Sequence, residues 1–310
     1  MTTLLFISRV HDPAPWVAAF RRLDPELRVR IWPDTGPVEA VDAVLAWTPP
    51  PGFLASLPNL RLISSFGAGI EHVLGDATLP PSVPVTRIVE ERLTRGMSEY
   101  VALHVLRHHR KLGLIEANQR AGIWKWLPPA DTPRTTVGVM GLGAMGAAAA
   151  VQVAQLGFPV LGWSATPKAL PGVESFVGED QRDEFLRLCN ILVCLLPLTP
   201  ATRGILNRST LGRLPEGAYV INAGRGGHLV EADLLALLDS GHLAGATLDV
   251  FAQEPPPPDH PFWRHPKVLM TPHNAADSLP QTVAPQIVDN IRRAMSGQPL
   301  INLVDRTRGY

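Results

Sequence analysis

Short apolar runs alternate with amphipathic segments along the first third of the chain. Apolar runs at residues 4–8, 29–32, 43–47 and 60–64 predict short strands, and residues 15–23 predict a helix that opens with proline. Strands that alternate with helices in this way favour a parallel sheet with helices packed on its faces.

A longer helical pattern follows at residues 98–114, where apolar side chains fall at 101, 102, 105, 106 and 112. After it the strand pattern returns at 135–140, 159–163, 191–195, 218–222, 245–250 and 268–270. Helices are predicted at 147–156 and 231–238, and a last helix is predicted at 280–296.

The length of 310 residues corresponds to two domains at about 150 residues each. The helix near residue 100 is long enough to bridge two domains, so we expect the last helix to return to the first one. The predicted division is 1–97 plus 281–310 for a discontinuous first domain, and 98–280 for the second. The predicted fold is α/β, with two Rossmann-like or flavodoxin-like domains built on doubly wound parallel sheets.

Charge and cysteine content narrow the class of protein. Lys plus Arg and Asp plus Glu are both 28, so no net field favours a nucleic acid or an anionic membrane as partner. The two cysteines, Cys189 and Cys194, flank an apolar run and are too few for a disulfide framework. No apolar stretch approaches the ~20 residues of a membrane span, and the first residues lack a signal-peptide pattern. We therefore expect a cytoplasmic protein.

The segment GLGAMG, at residues 141–146, matches the pattern G-x-G-x-x-G between a predicted strand and a predicted helix. In that context Gly141 permits a tight turn, Gly143 lets the backbone approach a pyrophosphate, and Gly146 lets the helix pack closely on the strand. The N–H groups at the helix start favour an anion. These features predict a dinucleotide site.

The end of the second strand of this unit bears on which dinucleotide is bound. An Asp or Glu there would bind the 2′-hydroxyl of NAD, but the chain reads GWSATPK with no acid. Neutral Ser164, with Thr166 and Lys168 nearby, suits a 2′-phosphate better. We expect NADP(H), with NAD(H) as the alternative.

Three further segments carry polar side chains at the carboxyl ends of predicted strands: NAGRGG from 222, LDVFAQEP from 248 and TPHNAA from 271. Ligands bind at this edge of an open α/β sheet, so Arg225, Asp249, Glu254 and His273 are expected to converge. Together with GLGAMG, these motifs resemble those of the D-isomer-specific 2-hydroxyacid dehydrogenase family over nearly the whole chain. GMSEY, GFPVLGWS, PGVESF and the ending DRTRGY are similar to its glyoxylate/hydroxypyruvate reductase branch.

The resemblance implies that Arg225, Glu254 and His273 form the catalytic set of a 2-keto acid reductase. Hydride would add to C2 while His273 donates a proton to the oxygen. Glu254 would bind the other ring nitrogen and stabilise the imidazolium. Arg225 would hold the substrate carboxylate and polarise the carbonyl.

The resemblance also implies the remaining site residues and a homodimer. The first domain would be the substrate domain, with Trp47 in the pocket and the N–H groups of Ala68 and Gly69 on the substrate carboxylate, beside Arg225 and His273. Many relatives have Asp where this chain has Glu71, and Ile or Val where it has Asn274. The expected cofactor contacts are Gly141, Leu142, Gly143, Ala144, Met145, Gly146, Trp163, Ser164, Thr166, Lys168, Leu196, Pro197, Ala223, Gly224, Arg225 and Asp249.

Other interpretations stay open at this point. One is a D-2-hydroxyacid dehydrogenase with a different substrate preference. Another is a non-enzymatic dinucleotide-sensing protein on the same fold, since such proteins can keep the three catalytic residues. GLGAMG is also similar to the opening of β-hydroxyacid dehydrogenases, where it stands at the N-terminus rather than at residue 141. No metal is expected, because His260, His265 and His273 fit no zinc spacing. His104, His108 and His109 are expected on the solvated or partly buried surface of the predicted helix at 98–114.

Overall fold

The computed structural model describes residues 1–128 and 130–309 and divides the chain into two compact units. The first unit comprises Met1–Arg92 with Ser278–Tyr310, and the second comprises Leu93–Asp277. The first unit is therefore discontinuous in sequence, as the predicted fold has it.

The first unit is a parallel sheet of five strands in the order β2-β1-β3-β4-β5. This order is the flavodoxin-like one, in which the direction of winding reverses between β1 and β3. Its first helices are α1 (Pro13–Leu23), which Asp12 caps by accepting from the N–H of Ala14, and the short α2 (Glu71–Leu74). The strands are β1 (Thr3–Ile7), β2 (Arg28–Ile31), β3 (Ala43–Ala46), β4 (Leu62–Ser65) and β5 (Val85–Thr86).

Helices and loops cover both faces of this sheet. Along β1, Leu4 and Phe6 belong to one apolar cluster, whereas Leu5 and Ile7 belong to another. Successive side chains of a strand point to opposite faces, so each cluster lies on its own side of the sheet. This explains why the strands read as continuous apolar runs rather than as alternating ones. The two-residue strand β5 was not predicted, because it is too short to produce a pattern.

The second unit begins with two helices where the sequence pattern predicted one. The prediction of a single helix over 98–114 was wrong: α3 spans Glu91–His109, and α4 spans Leu112–Arg120. Lys111 lies between them with φ 55°, a left-handed conformation that no α-helix residue adopts. The apolar residue at 112, counted in the prediction as part of one helical face, thus belongs to α4.

The second sheet has seven parallel strands in the order β12-β11-β10-β9-β6-β7-β8. Its centre has the Rossmann arrangement, with the winding reversed between β6 and β9. The strands are β6 (Val137–Met140), β7 (Val160–Ser164), β8 (Val173–Val177), β9 (Ile191–Cys194), β10 (Ala218–Asn222), β11 (Leu243–Leu248) and β12 (Val268–Met270). The accompanying helices are α5 (Ala144–Gln155), α6 (Arg182–Leu188), α7 (Arg208–Leu211) and α8 (Glu231–Asp239).

The chain returns to the first unit through α9 (Pro280–Ser296). Val283, Ile287 and Ile291 of α9 join the same apolar cluster as Trp16 and Phe20 of α1. The doubly wound α/β fold with a discontinuous domain is confirmed. Among the described residues, no helix is long and apolar enough to cross a membrane.

Candidate active site

The glycines of the turn between β6 and α5 each meet a different steric demand. Gly141 has φ +98°, a conformation that side chains disfavour. A Cβ on Gly146 would lie 1.8 Å from the carbonyl oxygen of Gly141, so only glycine lets the helix start this close to the strand. The helix begins at Ala144 rather than at the predicted 147, because the turn needs fewer residues than the glycine pattern suggested.

Gly143 differs from its neighbours, because no heavy atom lies within 4 Å of a Cβ built on it. It is the N-cap residue of α5, and no side chain accepts a hydrogen bond from the N–H groups at that helix start. An open surface in front of unsatisfied N–H groups suits a phosphate. The open space at Gly143 and the uncapped start of α5 therefore fit the phosphates of a dinucleotide.

The end of β7 separates the predicted cofactor residues into two groups. The Trp163 side chain is buried in the apolar core, and its indole N–H donates to the Gly178 carbonyl at 2.7 Å. Ser164 is also buried, and its hydroxyl donates to the Thr166 carbonyl at 2.7 Å. The side chains of Thr166 and Lys168 are exposed. Of these four residues, only Thr166 and Lys168 present side chains to solvent.

A buried histidine connects the loop after β9 to the loop after β10. His228 is fully buried and accepts the N–H of Arg225 at its Nδ1, with a separation of 3.0 Å. Its Nε2 lies 3.2 Å from the carbonyl oxygen of Pro197. Because Nδ1 accepts, Nε2 carries the proton and donates to that carbonyl. Sequence reasoning missed this histidine, although it lies three residues beyond Arg225.

The Arg225 loop lies backbone to backbone against the loop that carries Glu254. A Cβ on Gly226 would lie 1.8 Å from the carbonyl oxygen of Phe251, so glycine is required for this approach. The buried amide of Asn222 closes the loop by accepting from the N–H of Gly224 and donating to the carbonyl of Arg225. The guanidinium of Arg225 donates to the Gly224 carbonyl at 2.7 Å.

His273 and Glu254 form a hydrogen-bonded pair. The Nδ1 of His273 lies 2.7 Å from a Glu254 carboxylate oxygen, and since a carboxylate only accepts, Nδ1 donates. The other Glu254 oxygen accepts the N–H of Phe251 at 3.0 Å. Burial alone would raise the pKa of Glu254, but the bonds from His273 and Phe251 and the charges of His273 and Arg225 hold that pKa below its ordinary value. Glu254 is therefore a carboxylate that orients the ring, and Nε2 takes no part in this hydrogen bond.

Asp249 lies behind this pair and is 1% exposed. One carboxylate oxygen accepts from the Thr271 hydroxyl and the Asn274 N–H, and the other accepts from the Ala275 N–H at 3.0 Å. The second oxygen thus has a lone pair for another donor, which is compatible with the cofactor contact expected at Asp249. The bonds to the loop after β12 were not foreseen, because they depend on tertiary contacts.

In the first unit, the loop after β4 is closed by Ser65, whose hydroxyl accepts the N–H of Gly67 and donates to the Gly69 carbonyl. Within residues 1–128 and 130–309, no hydrogen bond uses the N–H of Ala68 or Gly69. These two N–H groups thus fit the carboxylate-binding role expected of them.

Aromatic rings surround the same loop. Trp47 lies over Gly67, where a Cβ would be 3.5 Å from the indole ring. The ring of His11 stacks on Phe66 with centroids 4.5 Å apart, and the ring of His72 lies 4.4 Å from Trp47. Neither histidine was singled out in the sequence, since neither belongs to a recognisable motif.

Several other histidines of the second unit lie beside acidic side chains or are buried. His260 and His265 lie beside Glu231 and Asp239, and among the described residues no three His, Cys, Asp or Glu side chains group to hold a metal ion. Burial lowers the pKa of His104 to about 4, with a further lowering by the charge of Arg107. His104 and His109 are buried, which the prediction of a solvated or partly buried surface underestimated.

Comparison with known proteins decides the family. The family model described as "D-isomer specific 2-hydroxyacid dehydrogenase, NAD binding domain" matches residues 102–275. A glyoxylate/hydroxypyruvate reductase A from Yersinia enterocolitica is 39% identical over 99% of both chains. The chain belongs to the D-isomer-specific 2-hydroxyacid dehydrogenase family. Its predicted class, an NAD(P)-dependent dehydrogenase, is thereby confirmed.

Solved structures of other D-isomer-specific 2-hydroxyacid dehydrogenases share the whole fold. One from Xanthobacter autotrophicus, in complex with NADPH and MES, has a TM-score of 0.95 and 45% identity, covering 100% of this chain and 99% of that one. An NADPH-dependent glyoxylate/hydroxypyruvate reductase from Sinorhizobium meliloti, in complex with NADP and sulfate, has a TM-score of 0.94 and 37% identity over 100% of both chains. The resemblance to the reductase branch is thus confirmed.

Proposed function

We propose that this enzyme reduces a small 2-keto acid, glyoxylate or hydroxypyruvate, to the 2-hydroxy acid with NADPH. The observation that carries the proposal is the His273–Glu254 pair, with 2.7 Å between Nδ1 and the carboxylate oxygen. It provides a proton donor whose orientation is set by a neighbouring carboxylate.

The reaction needs a hydride at C2 and a proton on the carbonyl oxygen. The dinucleotide, when bound along Gly141–Gly146, supplies the hydride. His273 delivers the proton from Nε2, and Glu254 stabilises the imidazolium that precedes this transfer. Arg225 is permanently charged and polarises the carbonyl while it holds the substrate carboxylate.

The preference for the phosphorylated dinucleotide rests on what stands after β7. No carboxylate is present at the end of that strand, whereas Thr166 and Lys168 are exposed there. A carboxylate would repel a 2′-phosphate, and an ammonium attracts it. The relatives from Xanthobacter and Sinorhizobium, which bind NADPH and NADP, support the same assignment.

The substrate assignment rests on the first unit and on the named relatives. The N–H groups of Ala68 and Gly69 can bind a carboxylate, and the Trp47 indole lies beside the same loop. The relatives from Yersinia and Sinorhizobium are named glyoxylate/hydroxypyruvate reductases.

The test is oxidation of NADPH and of NADH at about 340 nm, the nicotinamide absorbance band. Glyoxylate, hydroxypyruvate and pyruvate are compared on wild type and on His273→Ala. We expect turnover with NADPH to exceed turnover with NADH and to fall about 10³-fold in the variant, within the usual range for a general acid. A preference for NADH would overturn the cofactor assignment alone. Tight NADPH binding without turnover of any acid would favour the sensing function.

We also propose a homodimer formed through the second unit. Helix α4 contributes no buried residue, and apolar side chains around it are exposed: Leu103, Leu106, Leu112, Leu114, Ile115, Ile123, Trp124 and Trp126. Trp124 and Trp126 are 102% and 77% exposed, which is unusual for such large apolar groups on a monomer. A second copy that presents the same surface would cover both.

Sedimentation equilibrium tests this assembly. The Trp124→Ser/Trp126→Ser variant should sediment as a monomer, whereas Leu188→Ser, which removes an exposed apolar residue of α6, should remain a dimer. A dimer in both variants, or a wild-type monomer, would contradict the proposal. The cytoplasmic location stays a prediction that cell fractionation would check.

A further inference from the structure

A line of partly buried hydrogen bonds joins α3 to the loop that carries His273. The Tyr100 hydroxyl lies 2.7 Å from the Thr271 hydroxyl, which lies 2.6 Å from a carboxylate oxygen of Asp249. Thr271 has one proton, and the carboxylate can only accept it. Tyr100 is therefore the donor to Thr271, and the direction of both bonds is determined.

Asp249 accepts hydrogen bonds from successive residues of the loop that carries His273. Its carboxylate accepts the N–H groups of Asn274 and Ala275, each at 3.0 Å. Its backbone carbonyl accepts the N–H of His273 at 2.9 Å. One buried residue thus holds the backbone of His273 and of the two residues after it.

The backbone of His273 requires such an anchor. Its φ is 52°, in the left-handed region that is sterically unfavourable for a non-glycine residue. A conformation of this kind persists only where the surroundings over-determine it. In this conformation His273 makes its 2.7 Å contact with Glu254.

The surroundings of Tyr100 in the second unit keep its hydroxyl protonated, so it remains a hydrogen-bond donor. Burial raises the pKa of its phenol, and the negative charge of Asp249 adds to that effect, so the hydroxyl keeps its proton. The ring of His104 packs against it with centroids 4.2 Å apart. A second contact supports the same interface: a Cβ on Gly96 of α3 would lie 3.5 Å from Ala276.

We propose that Tyr100 and Thr271 are positioning residues that hold His273 in the orientation needed to deliver its proton. This inference rests on the proposed function of His273 as the proton donor. Neither residue was included in the expected site, and neither needs to touch substrate or cofactor for the effect. They act through Asp249 on the loop backbone.

The test compares Tyr100→Phe with Tyr219→Phe, a matched pair within the second unit. The Tyr219 hydroxyl lies 2.9 Å from that of Thr247, so both variants remove one tyrosine–threonine hydrogen bond. We expect Tyr100→Phe to lower kcat for glyoxylate about tenfold, because small misplacements of a catalytic group are costly. The Kd for NADPH, measured by fluorescence, and the unfolding midpoint should match those of Tyr219→Phe.

Isotope effects separate positioning from a general loss of stability. In Tyr100→Phe, the effect of D2O on kcat should increase and the effect of deuterated NADPH should decrease, since proton delivery becomes the slower process. Thr271→Val should lose more than Tyr100→Phe, and Thr271→Ser should restore most of the rate because it keeps the hydroxyl.

Equal kcat and equal isotope effects in Tyr100→Phe and Tyr219→Phe would overturn the inference. Failure of Thr271→Ser to exceed Thr271→Val would also overturn it. If His273→Gln retained wild-type turnover, the proposed proton donor itself would be wrong, which is a different result and is read from a different variant.

Discussion

The two sheets have the same doubly wound architecture, but the loops at their carboxyl edges carry different chemical groups. At the carboxyl edge of the first sheet, the loops after β3 and β4 present aromatic rings and backbone N–H groups, with Trp47 over the turn at Gly67. At the same edge of the second sheet, the loops after β10, β11 and β12 present Arg225, Asp249 and His273. A doubly wound sheet provides the place for a site, and the loops decide whether backbone or charged side chains occupy it.

Activity should be more sensitive to substitutions at the carboxyl edge of the second sheet, where the charged side chains lie, than at that of the first sheet. We expect Arg225→Gln to lower kcat/KM for glyoxylate by about 10³-fold, because the transition state loses a fixed positive charge. Arg225→Lys should recover only part of this loss, since an ammonium lacks the planar fork of donors. Steady-state kinetics measure both. An unchanged kcat/KM in Arg225→Gln would remove the contrast between the edges.

The glycine turn at residues 141–146 is a backbone phosphate-binding candidate in the second unit, which also carries the charged side chains. Gly143→Ala should raise the Kd for NADPH at least about tenfold, or ~1.4 kcal/mol, while the urea midpoint stays unchanged, because its Cβ meets no atom of the chain. Gly146→Ala should weaken binding and also lower the midpoint, since its Cβ would overlap the Gly141 carbonyl. Isothermal titration and urea unfolding distinguish the two. A loss of stability in Gly143→Ala would contradict the assignment of that open space to phosphate.

The aromatic edge should affect substrate binding rather than chemistry. We expect Trp47→Leu to raise KM for glyoxylate about tenfold, in the range for altered apolar contacts in a pocket. The kcat and the Kd for NADPH should remain near wild type, because Trp47 belongs to the other sheet from the glycine turn. A fall in kcat with unchanged KM would assign Trp47 to the chemistry instead.

The smallest effect that we predict concerns how the free energy of unfolding depends on pH. The pKa of buried His104 is about 4, against an ordinary 6.5, so only the unfolded state binds its proton between these values. The free energy of unfolding should therefore fall as pH decreases from about 6.5 to about 4. In His104→Phe this fall should be less steep in urea unfolding at several pH values. An equal slope in both proteins would show that His104 does not contribute.

Local pattern was sufficient for three elements that differ in burial, since β10 is mostly buried, β12 is half-buried and α9 is buried on one face. The predicted bounds of 218–222, 268–270 and 280–296 coincide with β10, β12 and α9. By contrast, β8 was missed because Glu174 and Ser175 interrupt its apolar residues, so no apolar run marks it. The break between α3 and α4 was missed because it depends on one left-handed residue, Lys111, which has no glycine to signal it.

The sequence alone predicted the doubly wound α/β fold and the glycine turn and singled out Arg225, Glu254 and His273 as candidates, because these predictions depend on residue type and on order along the chain. Tertiary structure alone decided which groups touch. Tyr100 and Thr271 are 171 residues apart, and His228 bridges two loops across 31 residues to Pro197. Contacts of this kind arise when strands distant in sequence bring their ends to one edge of a sheet, and no local pattern encodes them.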